Sequence, residues 1–371
     1  MGLIVGEIGL GLVYPQIYRS PGVWQHDPQL GWAHRPGSQG RLVSPEFDVA
    51  YRIGEAGLRD DDPSSTKGDR VTRVLLHGDS FAEGWGVGEE ETLERHIERW
   101  ATALTDGPVE VLNLGVAGYG TDQQLLQFSD LGKSLSPHLV VVLVYAHDLW
   151  NNASRRGIGA ERGPKPYFRL GPKGLELHGV PVAGDAYWRR KNEQSVERFF
   201  SERSHLYSLM RKAWREQAAI SPTGRQRFYA ALYGNDDQSE YRPLWKLTEA
   251  IIAEFAQRVH AAGARFVLVY APAIVQIEVD DWETKRELSQ LTGAFDLLLP
   301  NRRLADFARA WKISFLDLYP AFRRAAKNGE LLYYRDSHWT PRGHKLAAVE
   351  LATFLDRHGY LTLGSPKGDT P

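Results

Sequence analysis

The stretch VTRVLLHGDSFAEGWGVG, residues 71–88, changes character halfway along. It opens as an apolar run of the kind that forms a strand covered on both faces, then turns into a serine followed by a tryptophan and three glycines. In a parallel α/β sheet, ligands collect outside the carboxyl ends of the strands, so Ser80 would present its hydroxyl to that crevice. A serine there is either a turn residue or a nucleophile. At neutral pH a nucleophilic serine needs a base to take its proton, so the decision rests on what else arrives at the same edge.

Further strand-like runs follow at Val109–Leu114, His138–Ala146, Arg265–Ala271 and Ile313–Leu318. Between them, helical spacing is read over Glu90–Leu104, with Leu93, Ile97, Trp100 and Leu104 on one face, and over Asp122–Leu131, Leu244–Ala262 and Arg302–Trp311. A closing helix is expected at Pro341–Leu355. Five apolar strands alternating with helices predict an α/β fold of three α/β/α layers, a flavodoxin-like parallel five-stranded sheet. A large insertion, residues 151–243, follows the third strand and is rich in aromatic residues, among them Tyr187, Trp188, Phe199, Phe200 and Trp214. It is either a small core of its own or a lid or wall of the cleft. The domain is expected over 71–358, with an irregular lead-in over 1–70 and a disordered tail over 359–371.

Composition narrows the function. The chain has 371 residues, 42% of them hydrophobic, enough for a large core. Its net charge of −1, from 45 basic and 46 acidic side chains, gives no field that favours nucleic acid. The absence of cysteine excludes disulfides, thiolate metal sites and cysteine nucleophiles. The N-terminal run MGLIVGEIGLGLVYP is interrupted by Glu7 and stops at Pro15, short of the roughly 20 residues that span a bilayer. It reads either as a buried segment or as the remnant of a membrane anchor.

A base for Ser80 is offered by YYRDSHWTPRGHKLAAVEL, in which Asp336 and His338 precede the closing helix, with Thr340 suited to its N-cap and Pro341 to its first turn. Asp–x–His in an extended segment leaves both side chains on one side, so the carboxylate could orient the imidazole as Ser80 attacks. Without Ser80, the two would read as ordinary loop residues. The elbow of α/β-hydrolases, G-x-S-x-G, is absent, because position 82 is alanine.

These blocks resemble the SGNH, or GDSL-type, hydrolases. Gly78-Asp79-Ser80-Phe81 is similar to the first family block, NLGVAGYGTDQQ (113–124) to the second, and DSHWTPRGH to the last, whose HWTP continuation also resembles SGNH-like domains of polysaccharide O-acetyltransferases. The resemblance implies Ser80, His338 and Asp336 as a catalytic triad and Gly118 with the Ser80 amide in an oxyanion hole. The third block departs from it: His147 stands where the family has an oxyanion-hole asparagine, and its neutral imidazole N–H is the expected third donor to that hole. Asn151 and Asn152 are the nearest side-chain amides beyond it, whereas Gly234-Asn235-Asp236 is read as a turn. Asn151, Tyr187 and Trp188 are candidate substrate contacts.

The expected activity is therefore hydrolysis of an O-acyl ester, with O-acetyl and glycan substrates favoured and no cofactor. The alternatives are an O-acetyltransferase with the same triad and a non-catalytic glycan-binding or scaffold protein on the same fold. A metal site gathered from Asp336, His338, His344, His77 and His147 is disfavoured, since the spacing matches no ligand motif. The resemblance also implies membrane association through the N-terminus and a bacterial-type cell-envelope setting, with a cytoplasmic one the alternative.

Overall fold

The computed structural model describes residues 2–63, 71–105, 107–157, 163–183, 195–218, 222–234 and 241–361. Residues 16–53, expected to be irregular, instead form two antiparallel hairpins. Strand β1 (Trp24–Asp27) pairs with β2 (Gly31–His34), and β3 (Gln39–Val43) with β4 (Asp48–Arg52). Ahead of them lies a helix, Gly2–Val13, which is not the buried segment that was one of the two expectations. Ile4, Val5, Ile8, Leu12 and Val13 are exposed along it. Its one charged side chain, Glu7, turns inward and accepts bonds from Ser204 Oγ (2.9 Å) and the Leu206 amide (3.0 Å). No helix among the described residues is long and apolar enough to cross a membrane.

The expected sheet is present. Strands β5 (Thr72–His77), β6 (Val109–Asn113), β7 (Leu139–Tyr145), β10 (Arg265–Ala271) and β11 (Ser314–Asp317) are all parallel, in the spatial order β11-β10-β7-β5-β6. Numbered in chain order from the other edge this is 2-1-3-4-5, the flavodoxin-like arrangement. The three central strands are buried along nearly their whole length, which is why they read as unbroken apolar runs rather than alternating ones. Helices Leu93–Leu104 and Pro341–Arg357 pack on each other, and Arg242–Ala261 packs on Thr121–Asp130 and Asp148–Ala153. The order of strands reverses between β5 and β7, so their carboxyl ends open the crevice where such sheets bind ligands.

Within the insertion, β8 (Tyr167–Gly171) and β9 (Gly174–His178) form an antiparallel pair, and helices Ser195–Ser201, His205–Ala218 and Pro222–Tyr233 follow. Its inner face joins the main core through Phe168, Tyr229, Leu232 and Tyr233, so it is not a separate core. Helices Ile274–Ile277, Val279–Leu288 and Tyr319–Lys327 were not foreseen. A second apolar cluster unites the N-terminal hairpins (Val23, Trp24, Trp32, Leu42, Tyr51, Ile53) with Trp85, Val116, Ala117 and Tyr119 from the edge of the crevice.

Candidate active site

Strand β5 delivers Ser80 through a turn with little room. A side chain at Gly78 would bring its Cβ within 2.6 Å of the Ala82 Cβ and 3.2 Å of that of Leu143. Asp79 then caps the short helix Ser80–Glu83, its Oδ1 accepting from the Phe81 amide at 2.9 Å. Ser80 is 6% exposed.

The loop before the closing helix comes to the same place. Thr340 caps that helix with Oγ1, accepting from the Gly343 amide, and Pro341 occupies its first turn, as their residue types predict. The Asp336–His338 segment is not extended. It lies in a tight turn in which the Tyr334 amide donates to His338 O (2.8 Å) and the Ser337 amide to Tyr334 O (2.9 Å). Ser337 has φ +75°, a left-handed conformation that a serine adopts only where its surroundings fix it.

This turn places His338 Nε2 2.9 Å from Ser80 Oγ. His338 Nδ1 is 3.1 Å from Asp336 Oδ2, ion-pair contact that falls short of a straight hydrogen bond. With Asp336 facing Nδ1, the proton belongs on that nitrogen, leaving Nε2 free to accept from the serine. Burial disfavours the Asp336 charge. It is outweighed by His338, whose ring and amide both face the carboxylate, and by the Trp85 indole, so its pKa falls below the usual value. The His338 amide donates to Oδ1 (3.0 Å) and Trp85 Nε1 to Oδ2 (3.2 Å). The imidazole packs against Trp85 (centroids 5.4 Å, 28°) and Phe81 (5.4 Å, 37°). Trp85 in turn stacks on Trp24 of the first hairpin.

Gly118 sits in a turn closed by a bond from the Tyr119 amide to Val116 O (3.1 Å), with φ +82°, a conformation suited to glycine. His147 follows β7 at the same edge, with Nδ1 bonded to Asn151 and Nε2 in a contact with Asp79 that falls short of a straight hydrogen bond. Nε2 lies 3.1 Å from Asp79 Oδ2, and Nδ1 lies 3.3 Å from Asn151 Nδ2 and 3.8 Å from Asp148 Oδ1. Asn151 is fully buried, its amide also donating to Gly118 O (3.3 Å), so it supports the site from behind rather than meeting a substrate. Asn152 bonds Thr121, Thr248 and the Asp122 amide. Tyr187, Trp188, Asn235 and Asp236 lie outside the described residues.

The five-residue metal set does not assemble. His77 bonds Gln127 and His344 packs edge-on to Trp339, and burial drives the pKa of each down to about 3. Among the described residues, the donor set that does converge is Asp79, His147 and Asp148, whose ligand atoms lie within 4.8 Å of one another. Burial, with the Asp79 charge beside it, pushes the Asp148 carboxyl well above its ordinary pKa. Beside Ser337, a cavity of about 100 Å³ is lined by Tyr145 and Ala146 from the third-strand loop, Phe228, Tyr229 and Tyr233 from the insertion, and Lys285. Sequence reasoning missed Trp85, Trp32 and Tyr119, all distant in sequence from the groups they support.

Residues 232–369 match the family described as the SGNH hydrolase-like domain of the acetyltransferase AlgX. Over that segment the chain is similar to an SGNH hydrolase-like domain. The matched segment includes the Asp336–His338 block but not Ser80, which the fold supplies from the other half of the sheet. Among solved structures, the chain is similar to an acetylxylan esterase from Geobacillus stearothermophilus, at 12% identity over 76% of this chain and 94% of that one, with a TM-score of 0.41. It is also similar to a psychrotrophic esterase from Pseudoalteromonas sp., at 10% identity over 77% and 97%, with a TM-score of 0.39. No curated protein matches the sequence significantly.

Proposed function

We propose that the protein is a serine-dependent enzyme that cleaves an O-acyl ester, with O-acetyl esters of glycans the favoured substrates. The observation that carries this reading is the 2.9 Å approach of His338 Nε2 to Ser80 Oγ, with Asp336 behind the imidazole. Ser80 Oγ attacks the ester carbonyl carbon while its proton passes to His338 Nε2. The carbonyl oxygen becomes an oxyanion, facing the amides of Ser80 and Gly118, neither of which donates to a protein group among the described residues. As the carbon–oxygen bond to the alcohol breaks, His338 returns the proton to the leaving oxygen, and an acyl ester remains on Ser80. A second hydroxyl, deprotonated by the same nitrogen, then takes the acyl group. His147 lies against Asp79 (3.1 Å from Nε2) and Asn151 (3.3 Å from Nδ1), so the two backbone amides are assigned the oxyanion here.

The identity of the second hydroxyl separates hydrolase from transferase. Transfer to a sugar hydroxyl is favoured by one finding, the match of residues 232–369 to a domain described as an acetyltransferase. The test is turnover of p-nitrophenyl acetate with and without added oligosaccharide, for wild type and Ser80→Ala. Serine-dependent release lost by more than about 1000-fold in the variant supports the reading. Release that rises when sugar is added, with acetylated sugar formed, supports transfer. Equal release by the two proteins rejects both.

A further inference from the structure

The turn that carries Gly118 does not pack in the main core. Val116, Ala117 and Tyr119 belong to the cluster built by the N-terminal hairpins. The bonds are specific and fall on both sides of the glycine. Trp32 Nε1 donates to Ala117 O at 3.0 Å, with Trp32 fully buried, and Tyr119 Oη donates to Trp32 O. The two rings meet edge-on at 5.6 Å, and Gln123 Nε2 bonds Leu30 O at 2.7 Å one turn further along.

Resting on the serine-enzyme reading above, we infer that Trp32 is a positioning residue, which fixes the peptide plane whose other end is the Gly118 N–H. The Ala117 carbonyl and the Gly118 N–H are the two poles of one planar trans peptide and point in opposite directions. A donor that pins the carbonyl therefore aims the N–H, and by polarising the peptide it also makes that N–H a stronger donor. Tyr119 completes the clamp by holding the Trp32 carbonyl. The aim matters because His147, at the position of the family's side-chain donor, bonds Asn151 through Nδ1 and turns Nε2 toward Asp79. Two backbone N–H groups are left to meet the oxyanion, and a misplacement of about 1 Å at such a site costs on the order of 100-fold in rate.

The test is Trp32→Phe, which keeps an aromatic ring in the cluster but loses the N–H together with part of the buried indole, alongside Tyr119→Phe, which removes only the hydroxyl that holds the Trp32 carbonyl. Trp32→Phe should lower kcat for p-nitrophenyl acetate about 10-fold or more, with KM within about two-fold of wild type. Phosphonylation of Ser80 by a short alkyl p-nitrophenyl phosphonate should slow by a similar factor. Unchanged kcat and phosphonylation would overturn the inference, as would a loss confined to KM. Amide hydrogen exchange of the peptide 115–120 supplies a readout that needs no turnover, and it should quicken in Trp32→Phe. If wild type and Ser80→Ala are equally inert, the serine reading has failed. Exchange then decides the clamp alone, and an unchanged rate rejects it.

Discussion

Two stretches lie outside the five-stranded plan, the N-terminal hairpins and the insertion after the third central strand, and they meet the crevice from different sides. The insertion contributes surface: Phe228, Tyr229 and Tyr233 wall the cavity beside Ser337, and Phe228 stacks on Trp150. The hairpins contribute constraint. Trp24 stacks under Trp85, which bonds Asp336 and lies against His338, while Trp32 bonds the carbonyl ahead of Gly118. A buried pair, His34 Nε2 to Glu83 Oε1 at 2.6 Å, ties the same hairpins to the helix that starts at Ser80. One stretch should decide what is held, and the other how well the reacting groups are aligned. Sequence length gives no hint of this division, since the insertion is the longer and more aromatic of the two.

The comparison can be broken by substitutions on either side. On the constraint side, Trp85→Phe keeps the ring against His338 and deletes the bond to Asp336. One hydrogen bond to a charged group is worth about 1.5 kcal/mol, so kcat should fall about 10-fold with KM little changed. An unchanged kcat would remove Trp85 from the alignment of the triad. On the surface side, Phe228→Ala should raise KM for a bulky aryl or glycosyl ester by about five-fold and leave kcat for p-nitrophenyl acetate close to wild type. A fall in kcat of the Trp85→Phe kind would erase the distinction between the two stretches.

The smallest effect concerns stability where the two parts of the molecule join. Burial pushes the Asp60 carboxyl up to about 7 and that of Glu94 up to about 8. Both meet Asn113 of β6, Asp60 Oδ2 through its amide and Glu94 Oε2 through its side chain. A carboxyl with a raised pKa binds its proton more tightly when folded, so its contribution is present at low pH and is lost as pH rises through the folded value. His77 and His344, depressed to about 3, act in the opposite sense but only below the ordinary histidine pKa near 6.5. Above about pH 6.5 these two histidines no longer contribute, and the raised carboxyls, Asp148 among them, set the slope. Tm should drop by a few degrees between about pH 6.5 and 8, and Glu94→Gln should flatten the drop. A Tm that rises over the same interval would contradict the assignment.

Much of the plan was legible because its physics is local. Strands β5, β7 and β10 are buried on both faces, and their middles, Val74–Leu76, Leu139–Val144 and Phe266–Val269, are unbroken apolar runs. Ser80 at a strand end, and Thr340-Pro341 at a helix start, follow from residue types that suit those places. The hairpins were not legible. Strands WQHD and GWAH are four residues long, and their burial does not alternate, because Trp24, Trp32 and His34 are covered by residues from remote parts of the chain. The left-handed Ser337 hides for a related reason, since its neighbours rather than its own type force φ to +75°. His147 reads as an oxyanion donor by position, and only the structure shows its Nε2 turned toward Asp79 and its Nδ1 bonded to Asn151. Helix Tyr319–Lys327 buries three side chains, Ala321, Phe322 and Ala325, too few to set a period.

The most direct measurement is the site of covalent labelling. The protein would be incubated with a short alkyl p-nitrophenyl phosphonate, digested, and mapped by mass spectrometry, beside Ser80→Ala and His338→Ala. The account predicts one phosphonyl group per chain on the peptide containing Ser80, absent in Ser80→Ala and formed far more slowly in His338→Ala. A label on another residue, or equal labelling of Ser80 in the His338→Ala protein, would contradict it.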